Sequence, residues 1–127
     1  MRPKRNVLTD LELEIMKVIW QRGSATVRDV YEELLQKRKI AYTTVMTMIG
    51  ILERKGRLTR KETDRAYIYT PVESRTEVVG SMVQDFLKRV FDGSAKPLLL
   101  YLVENETISR EELDDIRKRV KQKRRKK

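Results

Sequence analysis

In the stretch Tyr42-Thr-Thr-Val-Met-Thr-Met-Ile-Gly-Ile-Leu-Glu-Arg54, the threonines Thr43, Thr44 and Thr47 put short hydroxyl side chains where a helix surface would ordinarily carry charge. A threonine hydroxyl donates and accepts, and its methyl is a small apolar contact. Such a set can bond base edges or phosphates and touch the thymine C5-methyl. Tyr42 opens the stretch and Arg54 closes it, and Arg60, Lys61 and Arg65 follow closely as cations for phosphate oxygens. The chemistry on offer is recognition of a polyanion. Catalysis has far less to work with. Cysteine and histidine are both absent, which excludes disulfides, thiolate or imidazole zinc sites and every Ser/His or Cys/His arrangement. There is no phosphate-binding glycine loop, and the carboxylates sit in charge-mixed helix faces. An enzyme is therefore the remote reading, and neither a metal nor a cofactor is expected.

The charge distribution narrows the partner. The chain has 127 residues with 29 Lys/Arg against 19 Asp/Glu, a net charge of +10. Residues 1–72 hold 15 basic against 9 acidic residues, residues 73–116 hold 5 against 10, and residues 117–127 hold 9 against none. The segments net +6, −5 and +9. A basic first part fits a nucleic-acid partner, whereas an acidic middle avoids one and suits another task such as self-association. The terminal run Lys121-Gln-Lys-Arg-Arg-Lys-Lys127 reads as a solvated helix end, with an auxiliary phosphate contact as the alternative. No apolar run approaches the 18 residues of a membrane span, and the opening Met-Arg-Pro-Lys-Arg leads into no signal-type stretch. A cytoplasmic protein without membrane insertion is expected.

The elements that must position the threonines can be read from periodicity. Thr9-Asp-Leu-Glu12 is a capping-box pattern opening a first helix that Gly23 ends. Leu11, Ile15, Val18 and Ile19 form one stripe on it, and Leu13, Met16 and Trp20 form a second, so the helix is expected to be packed on both sides. Trp20 reads as core, with a base-stacking platform as its rival. Thr26 caps a second helix whose Val27, Val30, Tyr31, Leu34 and Leu35 follow helical spacing. A third helix runs from about Tyr42 to Lys55 and is closed by Gly56. At 100° per residue its Val45, Met48, Ile49 and Leu52 share a core arc, while Thr43, Thr47, Gly50 and Arg54 cluster opposite, with Thr44, Met46 and Ile51 on the flanks. A major groove accounts for that small, uncharged outer face, and a poorly optimised solvent face is the bland reading. Arg57–Lys61 and Ala66–Thr70 then take strand period and predict a hairpin stopped by Pro71. Three helices followed by a two-stranded ribbon is the order of a winged helix-turn-helix, with Arg60, Lys61 and Arg65 on the wing.

From Ser74 the pattern becomes long and helical. Val79, Val83, Phe86 and Val90 are spaced 4, 3, 4 as in a coiled-coil seam, with Met82 and Phe91 beside them. Gly93 interrupts, Pro97 starts a short helix carrying Leu98 to Val103, and Ser109-Arg-Glu-Glu112 opens a last helix with Leu113, Ile116 and Val120 on one side. Three amphipathic helices in some 50 residues are marginal alone, and a second copy is the natural remedy. The expected dimer interface is Val79, Val83, Phe86, Val90, Leu99 and Leu102, with an ordinary intramolecular core as the alternative for the stripe. The fold class is thus mainly α with a small β-hairpin: a winged-helix DNA-binding domain over 1–72, and a helical dimerisation domain with a basic tail over 73–127.

Four ordered motifs carry a family resemblance. Leu8-Thr-Asp-Leu-Glu-Leu-Glu-Ile-Met-Lys-Val-Ile-Trp20, Ala41-Tyr-Thr-Thr-Val45, Leu52-Glu-Arg-Lys-Gly56 and Arg65-Ala-Tyr-Ile-Tyr-Thr-Pro71 resemble the penicillinase-repressor family, which has copper-responsive repressors as relatives. The resemblance implies a homodimeric winged-helix repressor of pseudo-palindromic operators of the TACA/TGTA kind. It also implies a membrane sensor protease or its effector as partner, with repression relieved by proteolysis in the C-terminal domain. Penicillinase repressors are cut at an Asn-Phe bond, and the matching positions here are Tyr101 and Leu102. The copper-responsive relatives carry a Cys-rich motif that this chain does not have. The competing function from another class is a winged-helix protein-interaction adaptor, which would expose an apolar patch where this chain places threonines.

Overall fold

The computed structural model describes residues 8–125; the Met-Arg-Pro-Lys-Arg segment and the last two lysines of the basic tail lie outside the described residues. The element order is α1 (Asp10–Arg22), α2 (Val27–Leu35), α3 (Tyr42–Arg54), β1 (Leu58–Glu62), β2 (Tyr67–Pro71), α4 (Arg75–Phe91), α5 (Lys96–Glu104) and α6 (Arg110–Arg125). Two compact units divide between Val83 and Gln84, inside α4. Among the described residues no helix is long and apolar enough to cross a membrane.

The first unit is a three-helix cluster with a hairpin. Its helix starts are fixed by two reciprocal caps. Thr9 accepts from the Glu12 N–H while Glu12 accepts from the Thr9 N–H, and Thr26 and Asp29 repeat the arrangement on α2. Gly23 and Gly56 take φ of +87° and +81°, the left-handed backbone that glycine adopts without a Cβ penalty at a helix end. Ile15, Met16, Ile19, Val30, Leu34, Val45, Ile49 and Leu52 are fully buried together, with Leu13 and Trp20 half-buried against them. Helix α1 is therefore packed on both of its stripes, and Trp20 belongs to the packing: its Nε1 donates to the Glu73 carbonyl at 3.0 Å. Leu35 departs from its expected place and is exposed. It stands 40° beyond Tyr31 on the helical wheel, at the last residue of α2, so the buried stripe ends before reaching it.

The hairpin is antiparallel with Leu58 opposite Pro71, Arg60 opposite Tyr69 and Glu62 opposite Tyr67. Its turn is closed by Thr63, whose N–H and hydroxyl both donate to the Ala66 carbonyl at 2.8 and 2.7 Å. Pro71 is tolerated because it ends the strand, where no ladder N–H is required. Periodicity carries no sign of the hairpin's third neighbour. Ala25, between α1 and α2, exchanges both main-chain bonds with Tyr69, at 3.0 and 2.8 Å, and pins the ribbon to the helices. Buried Arg57 adds an ion pair to Glu73 at 2.9 Å.

Val78, on the first turn of α4, is buried in the first unit's core, with Met82 packed against it. The expected stripe is thus split. Val78 and Met82 face inward, while Val83, Phe86 and Val90 are exposed and Val79 is half-buried. In the second unit Leu87 is buried, and Phe86 meets Phe91 edge-to-face with ring centroids 5.9 Å apart. Helix α5 buries none of its residues: Leu99, Leu100 and Tyr101 are exposed and Leu102 is half-buried.

Candidate nucleic-acid interface

Helix α3 is held in place from its inner face. Val45, Ile49 and Leu52 are buried at i, i+4 and i+7, and Met48 is half-buried beside them. At its C-terminal end Lys55 donates to the Glu12 carboxylate at 2.8 Å, which ties α3 to the start of α1. Burial would push the Glu12 carboxyl up. The bonds from Lys55 and from the Thr9 N–H outweigh it and hold the group below the usual carboxylate range, so Glu12 is a buried anion. At the N-terminal end the Tyr42 ring packs edge-on to Tyr31 at 5.2 Å, and the Arg28 guanidinium lies 5.8 Å from its centroid.

With that inner face fixed, Thr43, Thr44 and Thr47 are left exposed. Gly50 completes the outer surface. A Cβ built there would meet only the Arg54 Nη1, at 3.6 Å, so the fold itself does not require a glycine at this position. Between α3, the start of α2 and the hairpin lies an open groove of about 700 Å³. Four arginines line it, Arg28, Arg54, Arg60 and Arg65, together with Tyr42, Met46 and Tyr67. Arg60 is the most constrained: its guanidinium stacks 4.1 Å from the Tyr67 centroid and its Nε is 3.3 Å from Glu53. Among the described residues Arg54 and Arg65 have no ion-pair partner, which leaves their charge available to an incoming anion.

The expected site residues therefore divide. Tyr42, Arg54, Arg60 and Arg65 meet in the groove, whereas Thr43, Thr44 and Thr47 form the exposed helix surface beside it. Lys61 does not join them. It pairs across the ladder with Ile68, on the opposite face of the ribbon from Arg60 and Tyr69. Sequence reasoning missed Arg28, Met46 and Tyr67. Arg28 comes from another helix and could not be placed beside Tyr42 by spacing. The signal for Met46 was present, since it lies on the flank of the threonine arc and is about half exposed (47%). Met46 lines the groove.

Comparison with known proteins places this geometry. The sequence profile described as Penicillinase repressor matches residues 8–122. The penicillinase repressor of Bacillus licheniformis is 31% identical over 109 residues, covering 86% of this chain and 85% of that protein. The transcriptional regulator BlaI of Mycobacterium tuberculosis is 38% identical over 113 residues, covering 87% of this chain and 80% of that protein. Among solved structures, the DNA-binding domain of the repressor BlaI superposes with a TM-score of 0.52 at 33% identity, over 60% of this chain and 93% of that one. The Bacillus licheniformis BlaI monomeric form, solved in complex with the blaP half-operator, superposes at 0.51 with 34% identity, over 58% of this chain and 90% of that one. With the profile and these relatives spanning most of its length, the chain belongs to the penicillinase repressor family.

Proposed function

We propose that this protein is a DNA-binding transcriptional repressor that acts as a homodimer on a pseudo-palindromic operator in the cytoplasm, by binding and not by catalysis. The observation that carries the reading is the outer surface of α3: an uncharged face of Thr43, Thr47 and Gly50 bordered by a groove of four arginines. Helix α3 enters the major groove. Its threonines and Met46 meet base edges while Arg28, Arg54, Arg60 and Arg65 hold phosphates along the wing. A solved relative with the same first-unit fold is in complex with a half-operator, which supports duplex DNA as the partner of this unit.

The second unit supports the dimer. Val90, Leu99, Leu100 and Tyr101 are exposed, and α5 has no buried residue at all. Apolar surface on this scale in a unit of three helices is covered by a second copy. Tethering two reading units makes the second half-site contact effectively intramolecular. Relief of repression by a sensor protease then follows from cutting the tether. The matching bond, Tyr101-Leu102, lies inside helix α5 with Tyr101 exposed, so α5 has to unwind before a protease can seat it.

Selection from a pool of random duplexes tests the reading. The full chain is expected to enrich an inverted repeat, of the TACA/TGTA kind in this family, and the Thr47→Glu variant to enrich none. Recovery of unselected sequence by the wild-type chain, alongside capture by a protein partner through the same surface, would favour the adaptor reading instead.

A further inference from the structure

The largest concentration of charge in the molecule lies outside the α3 groove. Helix α6 is polarised along its length. Glu111, Glu112, Asp114 and Asp115 fill its first two turns, and Arg117, Lys118, Arg119, Lys121, Lys123 and Arg124 follow without an acid among them. Favourable interaction with the helix dipole explains a cation or two in the last turn. It does not explain six over more than two turns. Neighbours at i, i+3 and i, i+4, such as Arg117 with Lys121 and Lys121 with Arg124, repel one another and weaken the helix. Of these six cations only Arg119 has an ion-pair partner among the described residues, Asp115 at 3.0 Å. The side chains from Arg117 to Arg124 are all exposed. Residues 117–127 carry +9 of the chain's +10, so the remainder nets only +1. That run outweighs the +6 of residues 1–72, which contain the groove arginines.

We infer that the C-terminal half of α6 is a second duplex-DNA surface, binding the phosphate backbone without sequence preference. Arg117, Lys121 and Arg124 recur at i, i+4 and i+7 and so share one face of the helix, about 6 and 10.5 Å along its axis from the first to the others. Each is a long, exposed cation able to displace counterions from a phosphate. Arg117 and Arg124 can also grip one through two parallel bonds. This surface raises affinity for any duplex and feeds the α3 groove, whose threonines discriminate. The inference rests on the proposed duplex binding, and its test separates the two.

The test compares the full chain with a triple variant, R117Q/K121Q/R124Q, by fluorescence anisotropy on an operator duplex and a scrambled duplex over a series of salt concentrations. Glutamine keeps helix propensity. Affinity for both duplexes is expected to fall together, with their ratio unchanged. The slope of log affinity against log salt should shrink by about 0.9 for each phosphate no longer neutralised. The charge-conserving variant R117K/K121R/R124K should retain the wild-type slope. An unchanged slope in the glutamine variant overturns the inference while leaving the α3 reading intact. So does a loss confined to the operator, or a change in oligomeric state at constant slope, which would make the row a protein contact. Failure of the wild-type chain to bind any duplex overturns both.

Discussion

Thr47 occupies the middle of α3's exposed surface, and Gly50 lies one turn further along it. These positions separate function from stability. Thr47→Glu places a carboxylate against the negative groove and should cost most of the operator affinity, with an unchanged circular-dichroism spectrum because Val45, Ile49 and Leu52 carry the packing. Gly50→Ala works in opposite directions on the two properties. Its Cβ meets only ordinary van der Waals contact, so thermal unfolding should show a gain of about 0.5–1 kcal/mol, the helix cost of glycine removed. The added methyl stands between helix and base edges, so operator affinity should drop in a binding titration. Glu12 gives a prediction with a pH sign. Its carboxyl is held below the ordinary range, so the unfolded chain takes up its proton at higher pH than the folded one. The stabilisation from Glu12 is present above the unfolded-state value and is lost as pH falls through the folded one. Glu12→Gln should lower stability by about 1–2 kcal/mol near neutrality and flatten the acid limb of a stability-versus-pH curve. The Lys55 side chain is already half-exposed, which limits the loss.

Among the elements, the wing is where charge is sorted by face. Arg60 and Tyr69 share the groove side of the ribbon and Lys61 and Ile68 the other. Arg60→Gln or Arg65→Gln should therefore weaken binding to operator and scrambled duplex about equally, reducing the salt slope by about 1 for each phosphate left without its arginine, while Lys61→Gln should do less than either. A larger effect of Lys61 in the same anisotropy series would put the duplex on the other side of the ribbon. The capping box at Thr9, the N-cap at Thr26, the two stripes of α1, the buried arc of α3 and the hairpin were all legible in the sequence, because each is a local pattern; the reciprocal bond from Asp29 that completes a box at Thr26 was not read. What sequence could not carry was contact between distant residues. Ala25 bonds Tyr69 through main chain alone, and no side-chain pattern records it. Lys55 finds Glu12 across 43 residues, and Arg28 reaches the groove from a different helix. Arg57 opens the strand-period run Arg57–Lys61, and that pattern does not show that its side chain is buried and paired with exposed Glu73.

For the whole molecule, the boundary between the two compact units runs through α4. Val78 completes the core of the first unit, and the Glu73 carbonyl holds Trp20, so a fragment ending at residue 72 gives up both. A fragment of residues 1–83 should be more stable than one of 1–72 by about 1.5–3 kcal/mol, the burial of one valine-sized side chain, as measured by urea unfolding. Equal stability would mean that α4 contributes nothing to the first unit. On the exposed stripe, Phe86→Asp places a charge where a second copy is proposed to pack, and should yield monomers in sedimentation equilibrium. A variant that remains dimeric would move the interface elsewhere.

Two tethered copies are proposed to read two half-sites through α3. The most direct measurement is an anisotropy titration of the full chain on three duplexes at one salt concentration: an inverted repeat, a single half-site and a scrambled sequence. The inverted repeat should be bound about 10² to 10⁴ times more tightly than the half-site, with the half-site in turn above the scrambled duplex. Equal affinity for the inverted repeat and the scrambled duplex would contradict this reading.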